Sequence, residues 1–558
     1  MRQESRRVEF AQGLVNRPVQ ACACSQYLPS ACRSVLAASL ILVAVGVCAG
    51  SAFGQKYGGV LRAMLRENWP SMSIHDETTV SATFPLAVMY NNLVIYDPNL
   101  PSESSDHLIG ELAASWTWSK DFKRLTFALR HGVTWHDGKP FTSKDVKHTY
   151  DMVRGASEKR LKLNPRKGWY DNVQDIVTNG DFEVSFVLKR PQPGLISILA
   201  SGYSPVYPAH IEPNELRSKA VGTGPFMAKT IKPDEELYVE RNPNYFVKGR
   251  PYLDGIRFIV IRARPTRFAA LAAGQLDIAM PGEAPGTIRD QMKQQAPQLI
   301  MTEVTSSVQA NVLFNTKKPP FDNAKVRQAV NLAMDRPSLI KTVYQGALLS
   351  GGAIMPPPYS EWGLPKDELS KLPGWGDPSK DKAAARKLLA EAGYGPNNPL
   401  KIPVSTRAID VYVDVAIWMI DQLKQVGIEG TLEQYETGVW QPKMQRRDFI
   451  MATNLTGIGA EDPDANYFEN YLCGSTRNYT DYCNKDVEAL IERQSQEINR
   501  KKRLELVREI DRKLQNDGAR PILGHILDYY LFWPYVKGLV PHNNIYNYGR
   551  LQDVWLDK

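Results

Sequence analysis

Cysteine is scarce in this chain and is concentrated near its start. Of the six cysteines, four precede residue 50: Cys22, Cys24, Cys32 and Cys48. If that region is an export leader, only Cys473 and Cys483 remain in the mature protein. Two cysteines this close together in an exported chain favour a loop-closing disulfide over a metal or catalytic site, with a free thiol pair as the alternative.

Long apolar runs are also lacking. The best candidate, Val35–Val47, is too short to span a bilayer and is followed by small residues, which is typical of a signal peptide. We therefore expect a signal peptide with an N-terminal extension over residues 1–54, cleaved near Gly54, and a periplasmic mature protein. An uncleaved anchor, a lipoprotein start at Cys48 and a twin-arginine signal at Ser5-Arg6-Arg7 are the alternatives.

The local motifs of common enzyme classes are absent. The chain contains no G-x-S-x-G, H-E-x-x-H, Walker A or G-x-G-x-x-G pattern. Gly222-Thr-Gly-Pro225 fails as a phosphate loop because proline has no amide N–H to donate. We expect no enzymatic activity and no cofactor. An exported enzyme stays as an alternative, since catalytic triads are not local in sequence.

The charge is positive but dilute. The formal net charge is +8; the leader supplies five arginines and two glutamates, so the mature chain carries about +5. Lysine and arginine are scattered and no aromatic-basic ladder appears, which argues against nucleic acid as a partner. With 43% hydrophobic residues, a mature chain of this length can bury more than one core.

The segment Leu112–Tyr150 is the most informative feature that is present. Leu125–Arg130 alternates apolar and polar residues as a half-buried strand does, and Asp137-Gly138 predicts a sharp turn. Thr142 or Ser143 can then cap a helix whose apolar residues recur at helical spacing.

This segment closely resembles a signature of the extracytoplasmic solute-binding proteins of family 5, the peptide, opine and nickel class of ABC importers. Further blocks resemble the family in the same order, namely Gly222–Phe226, Glu240–Tyr245, Pro251–Gly255, Ala270–Ala279, Pro320–Asp322, Val326–Arg336 and Leu388–Tyr394. On these matches the chain is identified as a member of that family.

The resemblance implies an α/β, two-lobed periplasmic-binding-protein fold with hinged, discontinuous lobes and an extra strand-rich subdomain in lobe I. We expect lobe I over residues 55–305, with the inserted subdomain at about 100–205. Lobe II is expected over 306–518, and the chain returns to lobe I over 519–558. The crossings near 305–310 and 515–525 would form the hinge.

Nickel is one solute class within the family, and the histidines bear on it. Gln309–Gly518, the expected lobe II, contains none. Because a cleft metal site draws ligands from both closing surfaces, a histidine-rich nickel site bridging the lobes is disfavoured, and we predict no metal.

Peptides are the family's best-known solutes. Peptide-binding members hold the substrate ammonium with an aspartate in a W-x-x-D-Y-x-x-P context. Thr456–Pro463 aligns on its proline and places Gly459 at the aspartate position. We expect that the ligand is not recognised through a free N-terminus, unless Glu461, Asp462 or Asp464 takes over that role.

For the cleft we favour aromatic and small polar residues in loops that follow strands. Trp440 would be a stacking wall, or else a core residue; Arg407 would neutralise a substrate carboxylate, or else form a surface or interlobe salt bridge. The full candidate set is Trp440, Thr456, Gly457, Ile458, Gly459 and Arg407, with Trp69, His75 and Asp76 from the early loop.

The sequence thus predicts a periplasmic receptor that captures a small organic solute, peptide-like, opine or sugar-like, by hinge closure. It would deliver this small-molecule ligand to an inner-membrane ABC permease and act as a monomer. An exported enzyme or a metal-binding receptor on the same fold is the alternative.

Overall fold

The α/β alternation expected from the sequence runs through the chain. The computed structural model describes residues 54–518 and 520–558. The predicted leader, apart from Gly54, and its four cysteines lie outside the described residues.

The strands are β1 Val60–Leu65, β2 Val94–Tyr96, β3 Leu108–Gly110, β4 Ala113–Trp118, β5 Arg124–Leu129, β6 Val173–Thr178, β7 Glu183–Leu188, β8 Phe226–Lys232, β9 Glu236–Arg241, β10 Gly255–Val260, β11 Ile300–Phe314, β12 Leu348–Leu349, β13 Leu400–Arg407, β14 Ile428–Tyr435, β15 Met451–Gly457, β16 Ile522–Phe532, β17 Val536–Lys537 and β18 Trp555–Leu556.

The α-helices are α1 Val80–Leu86, α2 Ser143–Val153, α3 Leu195–Leu199, α4 Arg264–Ala272, α5 Gly286–Gln295, α6 Ala324–Ala333, α7 Arg336–Thr342, α8 Lys366–Leu369, α9 Pro378–Glu391, α10 Asp410–Lys424, α11 Thr437–Gln445, α12 Pro463–Asn470, α13 Lys485–Gln496 and α14 Arg500–Asp517. Short 3-10 turns lie at Ile74–Asp76, Ala87–Met89, Ser105–His107, Lys167–Tyr170 and Glu215–Arg217.

The residues predicted for lobe I contain two four-stranded sheets. One has the order β1-β10-β9-β8, in which β1 runs parallel to β10 and the other pairs are antiparallel. The other is the antiparallel sheet β4-β5-β7-β6, which belongs to the inserted region. In β5, Leu125, Phe127 and Leu129 are buried while their neighbours are more exposed, as the alternating pattern predicts.

Helix α2 confirms the cap read from the sequence. Thr142 is its N-cap and forms a capping box with Asp145, whose side chain accepts from the Thr142 N–H. The start of the helix is tied to the turn between β6 and β7, because the Ser143 hydroxyl donates to the Gly180 carbonyl 2.7 Å away.

Lobe II is built on a six-stranded sheet of order β12-β16-β11-β15-β13-β14. Its helices α7 and α9 begin at aspartate caps. Asp377 caps α9 ahead of Pro378 at the first helical position, and Gly393 follows the helix with a φ of +89°. Asp335 likewise caps α7 by accepting from the Ser338 N–H.

The long strands β11 and β16 connect the two lobes. They pair antiparallel, and β11 also pairs with β15 further along. The β11–β16 ladder is interrupted between Thr305 and Gln309. Beyond that break β16 approaches lobe I, where Phe532 forms a bridge to Ile278. The chain therefore has the two-lobed α/β fold that the resemblance implies.

Candidate functional site: a pocket between the lobes

A pocket lies where the two lobes face each other. The space free of protein atoms, including the opening, is about 620 Å³. Lobe I and the C-terminal segment contribute Arg66, Thr78, Thr79, Val80, Gly282, Ile545 and Tyr546. Lobe II and the crossing strands contribute Ser306, Val308, Arg407, Tyr412, Trp440, Gln441, Asn454, Leu455, Arg477, Tyr479 and Ile526. Within the part of the chain that the structure describes, the charged residues of this lining are all arginines.

The disulfide holds one wall of the pocket. Cys473 and Cys483 are bonded to each other, which confirms the pairing expected from the sequence. The loop between them carries Arg477 and Tyr479 into the lining. Because a cross-link restricts the conformations of the loop it closes, it also restricts where these two side chains can lie.

Trp440 lies in α11 and is 1% exposed. It lines the pocket and also packs in a small apolar cluster with Leu313, Met444 and Phe449. Trp440 therefore lies both in the pocket lining and in a core cluster, the two positions that the sequence offered as alternatives.

Arg407, at the end of β13, makes an ion pair across the lobes. Its Nη2 donates to Glu67 Oε1 at 2.7 Å, and its Nη1 donates to the Tyr412 hydroxyl at 2.9 Å. Thr437 accepts from the same guanidinium at 2.7 Å. Burial alone would raise the pKa of Glu67, but the charges of Arg407 and Arg66 hold it below its usual value. In this conformation Arg407 is committed to the interlobe salt bridge while still facing the pocket.

Arg66 adds a second buried positive charge from lobe I. Its Nη1 donates to Glu283 Oε1 at 2.7 Å, and Glu283 also accepts from Arg267. The Arg66 Nε lies 3.7 Å from the Glu67 carboxylate, and no described residue accepts a hydrogen bond from it.

A further buried cluster lies behind Arg477. Glu469 accepts from Arg477 Nη1, and its other oxygen lies 3.1 Å from Arg166 Nε of lobe I. Arg520 is nearby but bonds only neutral groups, Asn470 at 2.8 Å and Thr456 at 2.6 Å. Burial lowers the pKa of both Arg166 and Arg520. Glu469 thus pairs with two guanidinium groups, and Arg520 has no carboxylate partner among the described residues.

Gly459 packs directly against lobe I. A Cβ at this position would lie 2.8 Å from Trp169 Cη2 and 3.1 Å from Ser201 Oγ. The Gly459 carbonyl accepts from that Ser201 hydroxyl at 2.7 Å. Trp169 is fixed by its Nε1, which donates to the Ala465 carbonyl at 3.1 Å. The position where a carboxylate would project from residue 459 is therefore filled by an indole ring.

The neighbouring acids are engaged elsewhere. Asp462 makes a bidentate pair with Arg503 at 2.7 and 2.6 Å. Asp464 accepts from Gln494 and Ser495, and burial raises its pKa to about 6. Glu461 accepts from Trp362 Nε1 at 2.9 Å. All three lie outside the pocket lining.

The early loop contributes different residues from those predicted. Trp69, His75 and Asp76 are buried in lobe I and do not line this pocket. His75 Nε2 lies 2.8 Å from the Pro205 carbonyl oxygen, and burial lowers the pKa of His75 to about 4. Asp76 accepts from the Leu163 N–H and pairs with Arg217 at 3.0 Å.

Residues 456–458 lie at the rear of the site. Thr456 and Gly457 end β15 instead of following it. The Thr456 hydroxyl is bonded by Asn311 and Arg520, and the Ile458 N–H donates to Ser307. Gly457 allows Tyr546 to approach, because a Cβ there would lie 1.9 Å from the tyrosine hydroxyl. These residues shape the wall through Tyr546, whereas Asn454 and Leu455 reach the lining themselves.

Sequence reasoning missed several lining residues, chiefly Arg66, Asn454, Arg477 and Tyr546. Arg66 follows directly after strand β1, a position typical of site residues. Arg477 lies between the paired cysteines, and a loop closed in that way is a candidate for positioning a side chain. Tyr546 had no local signal.

The described residues contain neither a membrane-spanning helix nor a cluster of metal-ligating side chains. Within residues 54–518 and 520–558, every helix falls short of the length and apolarity needed to cross a bilayer. In the same ranges, no three histidine, cysteine or acidic side chains gather as candidate ligands of a metal ion.

A pocket enclosed by two lobes joined through crossing strands is the arrangement of a solute-binding receptor. Residues 107–479 match the family model described as the middle region of bacterial extracellular solute-binding proteins, family 5. The chain belongs to this family, as its sequence blocks indicated.

The names of proteins similar to this chain refer to different ligands. The chain is 27% identical over 480 residues to heme-binding protein A of Haemophilus influenzae, covering 81% of this chain and 84% of that one. It is 26% identical over 501 residues to the dipeptide-binding protein of Escherichia coli K12, covering 84% and 89%. The fold is similar to that of the ABC transporter-associated periplasmic binding protein DppA from Helicobacter pylori in complex with the peptide STSA. The TM-score is 0.78 at 22% identity, covering 90% of this chain and 99% of that one.

Proposed function

We propose that this protein is a periplasmic receptor that binds a small organic solute between its lobes and delivers it to an inner-membrane ABC permease. The observation that carries the proposal is the pocket lined by residues from both lobes. A ligand that contacts both faces favours the closed state by its differential affinity. The receptor acts as a monomer, and the solute is released unchanged, without covalent chemistry.

The interruption of the β11–β16 ladder supports a hinge at this place. The break falls between Thr305 and Gln309, within the predicted crossing, and Ser306 and Val308 from this stretch line the pocket. Loss of regular strand pairing lets the backbone change its torsion angles at low cost. The lobe boundaries predicted from the sequence, at about 305 and 518, are part of this proposal.

Export and processing complete the proposal. The signal peptide over 1–54 would be removed near Gly54, and the family model supports an extracytoplasmic location. N-terminal sequencing of the exported protein should give a chain that begins near Gln55. A chain that retains the apolar run Val35–Val47 would refute the cleavage.

The central experiment has two stages. The mature protein is purified from its own periplasm and denatured, and the released solutes are identified by mass spectrometry. Small-angle scattering then compares the ligand-free protein with protein saturated by the solute found, and we expect a smaller radius of gyration on binding. An unchanged radius at verified saturation would contradict hinge closure.

Two variants sharpen this test. Arg407→Gln removes the interlobe pair with Glu67 and should weaken ligand-induced closure, since the buried glutamate loses its partner. Arg512→Gln breaks a partly exposed pair with Glu368 outside the pocket and should close like the unchanged protein. Equal behaviour of the two variants would count against closure across this pocket.

A further inference from the structure

The pocket wall carries more positive charge than its carboxylate partners neutralise. Arg66, Arg407 and Arg477 line it and are 7%, 2% and 4% exposed. A guanidinium group withdrawn from water loses several kcal/mol of hydration, so it needs a nearby negative charge or hydrogen-bond acceptors. Which carboxylates are available therefore decides what else the pocket can hold.

Carboxylates are too few in both clusters. The buried acids that pair with Arg66, Arg407 and Arg267 are Glu67 and Glu283. Arg267 has a further acidic neighbour at 3.8 Å, but that side chain is half exposed and water screens it.

The cluster around Arg477 has a larger shortage of carboxylates. Arg477 and Arg166 share Glu469, while Arg520 bonds only an amide and a hydroxyl. Among the described residues, the buried guanidinium groups on both sides of the pocket therefore outnumber the buried carboxylates that pair with them.

Hydrogen-bond donors in the lining are also unsatisfied. Arg66 Nε, Arg477 Nε, Tyr479 Oη and Ser306 Oγ are buried and have no hydrogen-bond partner among the described residues. Both nitrogens can only donate, and both hydroxyls are free to donate. A buried donor without a partner costs about 1–3 kcal/mol, so a ligand that supplies acceptor oxygens would relieve several such costs at once.

Nothing in the lining complements a cation. The pocket holds no carboxylate among its described lining residues, and Trp169 occupies the space next to Gly459. Asp462, one of the acids that could substitute at residue 459, is neutralised by Arg503. An ammonium group moved into this pocket would lose its hydration and gain no partner.

We infer that the solute is an organic anion with two acidic groups and no ammonium group, held by Arg66 and Arg477 against the aromatic walls of the pocket. The inference rests on the proposed receptor function and specifies its substrate class. Free peptides, which carry an ammonium group, and neutral sugars are both disfavoured.

A matched charge series tests this. The probes are N-succinyl-phenylalanine with two carboxylates, N-acetyl-phenylalanine with one, N-acetyl-phenylalanine amide with none, and glycyl-phenylalanine with a free ammonium group. Calorimetry with the mature protein should rank the affinities in that order, with at least tenfold between the first probe and the amide. Equal or tighter binding of the amide or the dipeptide overturns the inference.

Variants assign the effect to the named side chains. Arg66→Gln and Arg477→Gln should each weaken N-succinyl-phenylalanine at least tenfold and change affinity for the amide little. The control is Arg336→Gln, which removes an equally buried arginine that bonds the Ile522 and Gly374 carbonyls outside the pocket. It should lower stability and leave the charge ranking intact. A ranking that survives in both pocket variants overturns the inference.

The identity of the solute released from the native protein tests the inference and the receptor function separately. A dianion without an amine supports both the inference and the receptor function. A zwitterion, a cation or a neutral solute that closes the lobes leaves the receptor function standing and overturns the inference. If no solute is released and no probe binds, both fall.

Discussion

Replacing Gly459 by alanine should weaken ligand binding without weakening the ligand-free fold. The new Cβ would lie 2.8 Å from Trp169 Cη2, 3.1 Å from Ser201 Oγ and 3.2 Å from Tyr203 Cδ2. All three neighbours belong to lobe I, whereas residue 459 belongs to lobe II. Under the proposed hinge closure, the clash would be confined to the closed form, and opening the lobes would relieve it.

The size of the effect follows from the overpacking. Forcing an extra carbon into a well-packed contact costs about 1–3 kcal/mol. Because this cost falls on the closed state alone, affinity should drop roughly 5- to 150-fold. Trp169→Phe deletes the atom in closest contact, so the double variant Gly459→Ala/Trp169→Phe should show a coupling of about 1 kcal/mol or more that restores part of the affinity.

The assay combines calorimetry, using the solute released from the native protein, with thermal unfolding of the ligand-free variants. Gly395→Ala is the control, since a Cβ there would have no heavy atom within 4 Å. We expect unchanged affinity and unchanged melting for Gly395→Ala, and unchanged ligand-free melting for Gly459→Ala. An affinity loss that Trp169→Phe fails to reduce, or a matching fall in ligand-free melting temperature, would refute the reasoning.

Three further outcomes are expected. Cys473 and Cys483 should resist alkylation under non-reducing denaturation, and replacing both by serine should lower the free energy of unfolding by about 3 kcal/mol for a loop of this length; rapid alkylation of both thiols would show that the bond is absent. Burial lowers the pKa of His75 to about 4. The neutral imidazole therefore contributes stability that is present above its unfolded pKa of about 6.5 and is lost as pH falls towards 4. Urea unfolding between pH 4 and 7 should show this fall in stability, and the fall should be smaller in His75→Gln. Asp462→Asn should destabilise the protein by roughly 3–5 kcal/mol, because Arg503 loses its buried bidentate partner, yet leave solute affinity unchanged; a specific loss of affinity would show that Asp462 contacts the ligand.

The local structure of this chain could be predicted from its sequence. The N-cap at Thr142 and the disulfide both depend on residues close together in the chain. Each signal is short-range, because a cap or a closed loop involves only a few neighbouring residues. The ordered family blocks added the two-lobed fold, which those local signals do not specify.

The tertiary structure decides which side chains line the pocket. Arg407 and Glu67 are 340 positions apart in the chain. Whether Arg407 pairs with Glu67 or with a substrate carboxylate depends on how the lobes close. Gly459 marked a missing carboxylate in the sequence, but only the fold brings Trp169 into that space. Trp69, His75 and Asp76 lie in the segment that reaches the pocket, yet their side chains turn into lobe I while Arg66 and Thr79 line it. Side-chain direction and pairing between distant segments arise from packing of the whole chain, so the positive pocket wall could be recognised only in three dimensions.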